Sequence, residues 1–176
     1  TVVFVRNTTE AINVFAAALP EGTRVLSSTT EHHANMLPWR RHDVRLLPFT
    51  RTPDQLLDAA ERALRAERID LVAVTGASNV TGEVWPVAEL ARLAHEHGAE
   101  LFVDAAQLAP HRAIDMRRTG IDHLALSGHK LYAPFGAGAL VSRTALTGSP
   151  LLRGGGAIKL VTVDDVIWAD APDRFE

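Results

Sequence analysis

The chain has 176 residues, 47% hydrophobic and 22% charged, enough for one ordinary domain with a sizeable buried core. A formal charge of -3 and a pI near 6.2 supply no basic footprint for nucleic acid, and no apolar run approaches the roughly 18 residues of a membrane span or forms a signal sequence. The absence of cysteine excludes disulfides, CxxC redox chemistry and thiolate metal sites. Nucleic acid and membrane are set aside as partners, and a cytoplasmic protein is the default expectation.

Val2 to Val5 read as a buried strand. Asn7 to Glu10 resemble a capping box, Asn7 at the N-cap and Glu10 at N3, opening a helix to about Leu19. Arg24 to Ser28 and Val44 to Phe49 are the next strands. Thr52-Pro53 starts a helix in which Leu56, Leu57, Ala60, Ala63 and Leu64 recur at helical spacing before Arg68. Ile69 to Val74 is a continuous apolar strand; Pro86 then opens a helix with Gly98 just past its end. "ELFVD" (100–104) and "HLALS" (123–127) are two more strands. This alternation predicts an α/β fold, a mostly parallel sheet with helices on both faces. No repeat, low-complexity tract or linker divides residues 1–176, so they form one unit. The start at Thr1 inside an apolar run and the end at "DAPDRFE" lead to the expectation of a domain truncated at both ends.

In such sheets ligands sit in the crevice outside the carboxyl ends of the strands. That rule selects Asn7-Thr8-Thr9, Ser27 to His33, Ser78-Asn79, Asp104 with Gln107, and Ser127 to Lys130. Lys130 and Lys159 are the only lysines among eighteen basic residues. Lys130 follows an apolar strand and precedes a Gly/Pro/Ala loop, a setting that strips water from an amine and favours its nucleophilic form; a snorkelling or ion-paired lysine is the alternative. Lys159, beside Gly154-Gly155-Gly156, reads as a solvated loop residue. Asp104 at the mouth of "LFVD" is either a helix cap or an acid that keeps a pyridine nitrogen protonated, as pyridoxal phosphate requires. Thr8 and Thr9 open a helix after a strand, where free amides and the helix dipole favour a phosphate, or they simply cap it. "GAGALV" (136–141) lacks the third glycine of a dinucleotide fingerprint. In "EHHANMLPW" (31–39) one imidazole of the pair can stack on a flat ring and move protons near neutral pH. Zinc is disfavoured: there is no HExxH, and His95 and His97 point apart on a helix. His42, His111 and His123 read as surface or packing residues.

"EHHANMLPW", "SNVTG", "FVDAAQ" and "SGHKLYAPFGAG", in that order, resemble the class V aminotransferase family, closest to its cysteine desulfurase and selenocysteine lyase branch. The resemblance spans nearly the whole chain and corresponds to the central part of the large domain of a type I pyridoxal phosphate (PLP) enzyme. It implies that Lys130 carries PLP as a Schiff base, that Asp104 pairs with the pyridine nitrogen, and that His32 stacks on the ring and shuttles protons. It further implies that Asn79 and Gln107 bond the phenolic oxygen, while Thr9, Ser127 and His129, with the backbone near Thr8, hold the phosphate. The expected activity is a desulfurase-like carbon–sulfur lyase acting on cysteine or a related amino acid, in a homodimer whose partner completes the cofactor site. A transaminase, an epimerase, another lyase or a non-catalytic fragment of the fold stay open. The family places its persulfide-forming cysteine and its carboxylate-binding arginine on a C-terminal small domain that these residues do not match. The family often has glycine where Asn7, Ala11 and Ala133 stand, and commonly histidine where Gly76 stands.

Overall fold

The computed structural model describes all residues from Thr1 to Glu176. Its strands are β1 (Val2–Val5), β2 (Arg24–Ser28), β3 (Asp43–Leu47), β4 (Leu71–Thr75), β5 (Glu100–Asp104), β6 (His123–Ser127), β7 (Gly138–Ser142), β8 (Ile158–Val161) and β9 (Val166–Trp168). Its helices are α1 (Thr8–Ala18), α2 (Pro53–Ala66), α3 (Val87–Glu96) and the single turn α4 (Met116–Thr119). Seven strands form one sheet in the order β1-β7-β6-β5-β4-β2-β3, and every strand except β7 runs the same way. The strands β8 and β9 make a separate antiparallel hairpin.

Alternation along the strands feeds two apolar layers. Leu71 and Ala73 of β4 and Phe102 of β5 face α1, whose Ile12 and Phe15 they meet together with Trp39. Val72, Val74, Leu101 and Val103 face the other way, against Leu56, Ala60 and Leu64 of α2 and Leu90 and Ala94 of α3. Period-2 strands buried on both faces read as unbroken apolar runs, which is why β4 is apolar up to Thr75. On the α1 side three aromatic rings close the layer. Phe15 lies 4.9 Å from Phe102, and Trp39 meets Phe102 edge-on at 5.3 Å. Burying each such side chain stabilises the fold by roughly 1.5–3 kcal/mol.

Local chemistry fixes the element ends, and in places differs from expectation. Asn7 caps α1, its Oδ1 accepting from the Glu10 amide at 2.9 Å. The reciprocal half of the capping box is replaced: the Glu10 carboxylate takes the Arg6 amide and pairs with the Arg6 guanidinium instead of returning to Asn7. That bond with Arg6 holds the Glu10 carboxyl below its ordinary value. β3 stops at Leu47, short of Phe49, because Pro48 has no amide for the ladder. Gly98 follows α3 with φ +76, the left-handed C′ conformation that only glycine adopts without strain. At the C-terminal end "GAGALV" contains β7, and Lys159, expected in a loop, sits exposed on β8.

Candidate active site

The carboxyl ends of β1, β4, β5 and β6 converge with the segment after β2 on a cavity of about 240 Å³. Of the strand-end stretches selected from sequence, Ser27 to Glu31, His33, Ser78 and Gly128 do not line it, whereas Thr8 and Thr9, His32, Asn79, Asp104, Gln107, Ser127, His129 and Lys130 do. Each reaches it by a short excursion from a strand end, so the rigid sheet sets their spacing.

At one end α1 begins beside the end of β6. The Thr8 amide donates to Ser127 Oγ at 2.8 Å, and the two hydroxyl oxygens lie 2.7 Å apart, both residues being buried. This pair locks the start of α1 to β6. The next amide, that of Thr9, has no protein acceptor, and it sits where the helix dipole favours an anion. The β6 chain then turns through Gly128–Leu131, a 3-10 turn that carries His129 and Lys130. Tyr132 closes the turn in the left-handed region at φ 64, its amide donating to Gly128 O. Lys130 is half-buried, and His129 stacks on Phe135 at 5.1 Å.

Close backbone approach here demands glycine. A Cβ on Gly128 would stand 2.6 Å from Ala137 O, and one on Gly138 would stand 2.8 Å from the backbone of Asn7. The substitution Gly138→Ala is therefore expected to cost about 1–3 kcal/mol and to push Asn7 off its cap. Gly154→Ala, with nothing within 4 Å of its Cβ, should change stability by less than about 0.5 kcal/mol. Urea unfolding of the two variants checks the contrast; equal stabilities would show that the β7 contact yields freely.

On the opposite wall, Asp104 is 4% exposed and its Oδ1 accepts from the Ala106 amide at 2.9 Å. That bond closes the turn after β5; no helix begins there, so Asp104 is not a helix cap. Burial raises the Asp104 carboxyl above the usual aspartate value, opposed by the Ala106 bond and by the charges of His32 and Lys130. His32 Nδ1 accepts from the Ala34 amide at 3.1 Å, so the neutral ring carries its proton on Nε2. Asn79 is exposed at the tip of a tight loop held by Ser78 Oγ, which accepts from the amides of Val80 and Thr81.

The residue differences from the resembling family have physical counterparts. Asn7 supplies the helix cap, and Ala11 is fully buried in the α1 layer. A side chain on Gly76 would stand 2.7 Å from Leu108 Cδ2, so the packing of Leu108 leaves no room for a histidine there. Glu31 lies within the strand-end stretch Ser27 to His33, yet its sequence setting assigns it no role; its buried carboxyl lies next to Asp104. His123, a packing residue as expected, is buried between Ser142 and Glu100, at the other end of β6 from the cavity.

The donor set suits a flat, phosphorylated cofactor. It offers a helix N-terminus with a free amide and neighbouring hydroxyls for an anion, a buried acid for a ring nitrogen, an imidazole, and an amine. Comparison with known proteins agrees. The family model described as Aminotransferase class-V matches residues 1–176. The chain is 44% identical to the cysteine desulfurase of Dickeya dadantii (strain 3937), over 99% of this chain and 46% of that protein. It is 39% identical to a probable cysteine desulfurase of Halobacterium salinarum, over 99% of this chain and 45% of that protein. Among solved structures, the cysteine desulfurase CsdA from Escherichia coli superposes with a TM-score of 0.87 at 34% identity, covering 99% of this chain and 47% of that one. The apo cysteine desulfurase of Thermococcus onnurineus NA1 gives 0.84 at 33%, covering 99% and 46%. The chain spans about half the length of the relatives it matches. With the family model matched from end to end and the strand-end motifs gathered on one cavity, the chain belongs to the class V aminotransferase family.

Proposed function

We propose that residues 1–176 are the pyridoxal phosphate-binding core of a cysteine desulfurase-like enzyme, part of a large domain that continues beyond them. The observation that carries this reading is the convergence of Lys130 and Asp104, from successive parallel strands, on one cavity with a free helix N-terminus. The names borne by the relatives favour carbon–sulfur lysis over transamination or epimerisation.

In this reading the Thr9 amide and hydroxyl, Ser127 and His129 hold the phosphate, and the Thr8–Ser127 pair fixes the distance between the two sides of that cradle. Asp104 takes the pyridine nitrogen; Asn79 and Gln107 take the phenolic oxygen; His32 packs on the ring. Lys130 holds the cofactor covalently through Nζ. When bound, the cofactor supplies an electron sink for negative charge on the substrate Cα. Lys130 Nζ, once the incoming substrate amine has taken its place, would be free to take the Cα proton, and His32 would give or take a proton at Nε2, since Nδ1 is occupied by the Ala34 amide. Burial raises Asp104 even with His32 and Lys130 facing it, so a protonated ring nitrogen is the partner that offsets its desolvation. The substrate is cysteine or a related amino acid. The working form is a cytoplasmic homodimer, twofold pairs being the commonest oligomers.

Borohydride reduction of the PLP-treated protein, followed by peptide mapping, tests the assignment. The expected label is on the peptide carrying Lys130. Label on Lys159, or on neither lysine, overturns it.

A further inference from the structure

Glu31 follows β2, is 6% exposed, and takes no part in the chemistry assigned above. Its Oε2 accepts a hydrogen bond of 2.7 Å from Nδ2 of Asn35, and Asn35 Oδ1 accepts one of 3.2 Å from Nε1 of Trp39. Asn35 and Trp39 are fully buried. One buried polar chain therefore runs through the 3-10 turns His33–Asn35 and Pro38–Arg41, the segment on which His32 reaches the cavity. The backbone of Thr75 faces the Glu31 carboxyl, and the charged group facing it is Asp104. Thr75 and Asp104 both line the cavity, which places Glu31 directly behind its wall. Asp104 in turn faces His32, from the segment after β2, and Lys130, from the turn after β6.

We propose that Glu31 is a positioning residue of this cavity: it anchors the chain through Asn35 to Trp39, and with it the segment presenting His32, while sharing its buried corner with Asp104. The proposal rests on the functional reading given above. Removing the carboxyl strands the Asn35 amide in an apolar interior, a cost relieved only if the segment shifts and carries His32 with it.

Two carboxyls in one water-poor corner do not ionise together cheaply. Asp104 has His32 and Lys130 to favour its charge, whereas Glu31 meets uncharged amides and the like charge of Asp104. Burial pushes the Glu31 carboxyl up to about 8, so near neutrality Glu31 stays largely protonated, while His32 and Lys130 favour the corner's negative charge on Asp104. The folded value lies above the unfolded one. Stability tied to Glu31 is thus complete below about pH 4.5 and is lost progressively up to about pH 8.

Glu31→Gln keeps an acceptor for Asn35 and cannot ionise; Glu31→Ala removes the acceptor. PLP binding to the purified protein, measured by fluorescence, should weaken about tenfold in Glu31→Ala and match wild type in Glu31→Gln. Melting temperatures of the cofactor-free proteins supply a second readout. The advantage of Glu31→Gln over wild type should widen from about pH 4.5 to about pH 8 and then stay constant. Undiminished PLP binding by Glu31→Ala, or a Gln–Glu melting difference independent of pH, overturns the proposal. Should Glu31→Ala fail to fold, Glu31→Gln carries the test through both readouts. A wild-type protein that captures no PLP overturns the functional reading instead, and the melting comparison, made without cofactor, then decides the role of Glu31 alone.

Discussion

Replacing Asp104 with asparagine in the longer enzyme of which this chain is proposed to be the core is expected to lower turnover on the order of 100-fold or more while leaving the fold as stable as wild type, or more stable, at neutral pH. The two effects separate because they use different properties of one side chain. Asparagine Oδ1 still accepts from the Ala106 amide, so the local turn after β5 survives. The negative charge is what disappears, and with it the means of keeping a proton on the ring nitrogen, on which the electron sink depends. Stability moves the other way: burial raises the folded Asp104 value above the unfolded one, so wild-type stability is complete below the unfolded carboxyl value of about 4 and falls as pH rises. The asparagine variant escapes that loss. Thermal melts at pH 4 and 7, paired with turnover at pH 7, check both halves. Unchanged turnover would reduce Asp104 to the turn it closes with Ala106.

The parts of the fold legible in sequence are those where period and punctuation agree. α2 is announced by Thr52, whose hydroxyl accepts from the Gln55 amide, by Pro53, and by an apolar stripe that buries Leu56, Ala60 and Leu64. The central strands declare themselves because both of their faces are apolar. β7 is silent for the opposite reason: it starts on Gly138, chosen for its approach to Asn7 rather than for strand propensity, and is defined by antiparallel partners distant in sequence. The hairpin of β8 and β9 lies outside the sheet and shows little alternation between buried and exposed residues. At the cavity, residues at strand ends were found because topology nominates them. Glu31 lay in the selected stretch after β2, but its role stayed unread because it depends on Asn35, Trp39 and Asp104 together. The spacing of 31, 35 and 39 is helical, yet the segment folds as two 3-10 turns, so no periodic rule would have paired them.

Incubated with PLP and cysteine, the 176-residue chain alone is expected to release alanine and sulfide far more slowly than roughly 1 per second, even where it captures the cofactor. Sulfur transfer to the protein needs a thiolate to attack the substrate sulfur, and this chain contains no cysteine. The substrate carboxylate is also poorly served. The basic residues lining the cavity are His32, His129 and Lys130, with no arginine to grip a carboxylate through two parallel bonds. A loosely held amino acid forfeits much of the advantage of orientation. Exchange of the Cα proton asks for less, because it needs only the cofactor and a base, and both Lys130 and His32 are in place. The expected pattern is therefore deuterium uptake at Cα without matching alanine, followed by mass spectrometry. Loss of uptake in Lys130→Ala would tie that exchange to the site. Alanine produced by the unmodified chain at about 1 per second or faster would mean that an amino acid can be desulfurised here without a protein thiolate, and that the residues beyond this chain are dispensable for the chemistry.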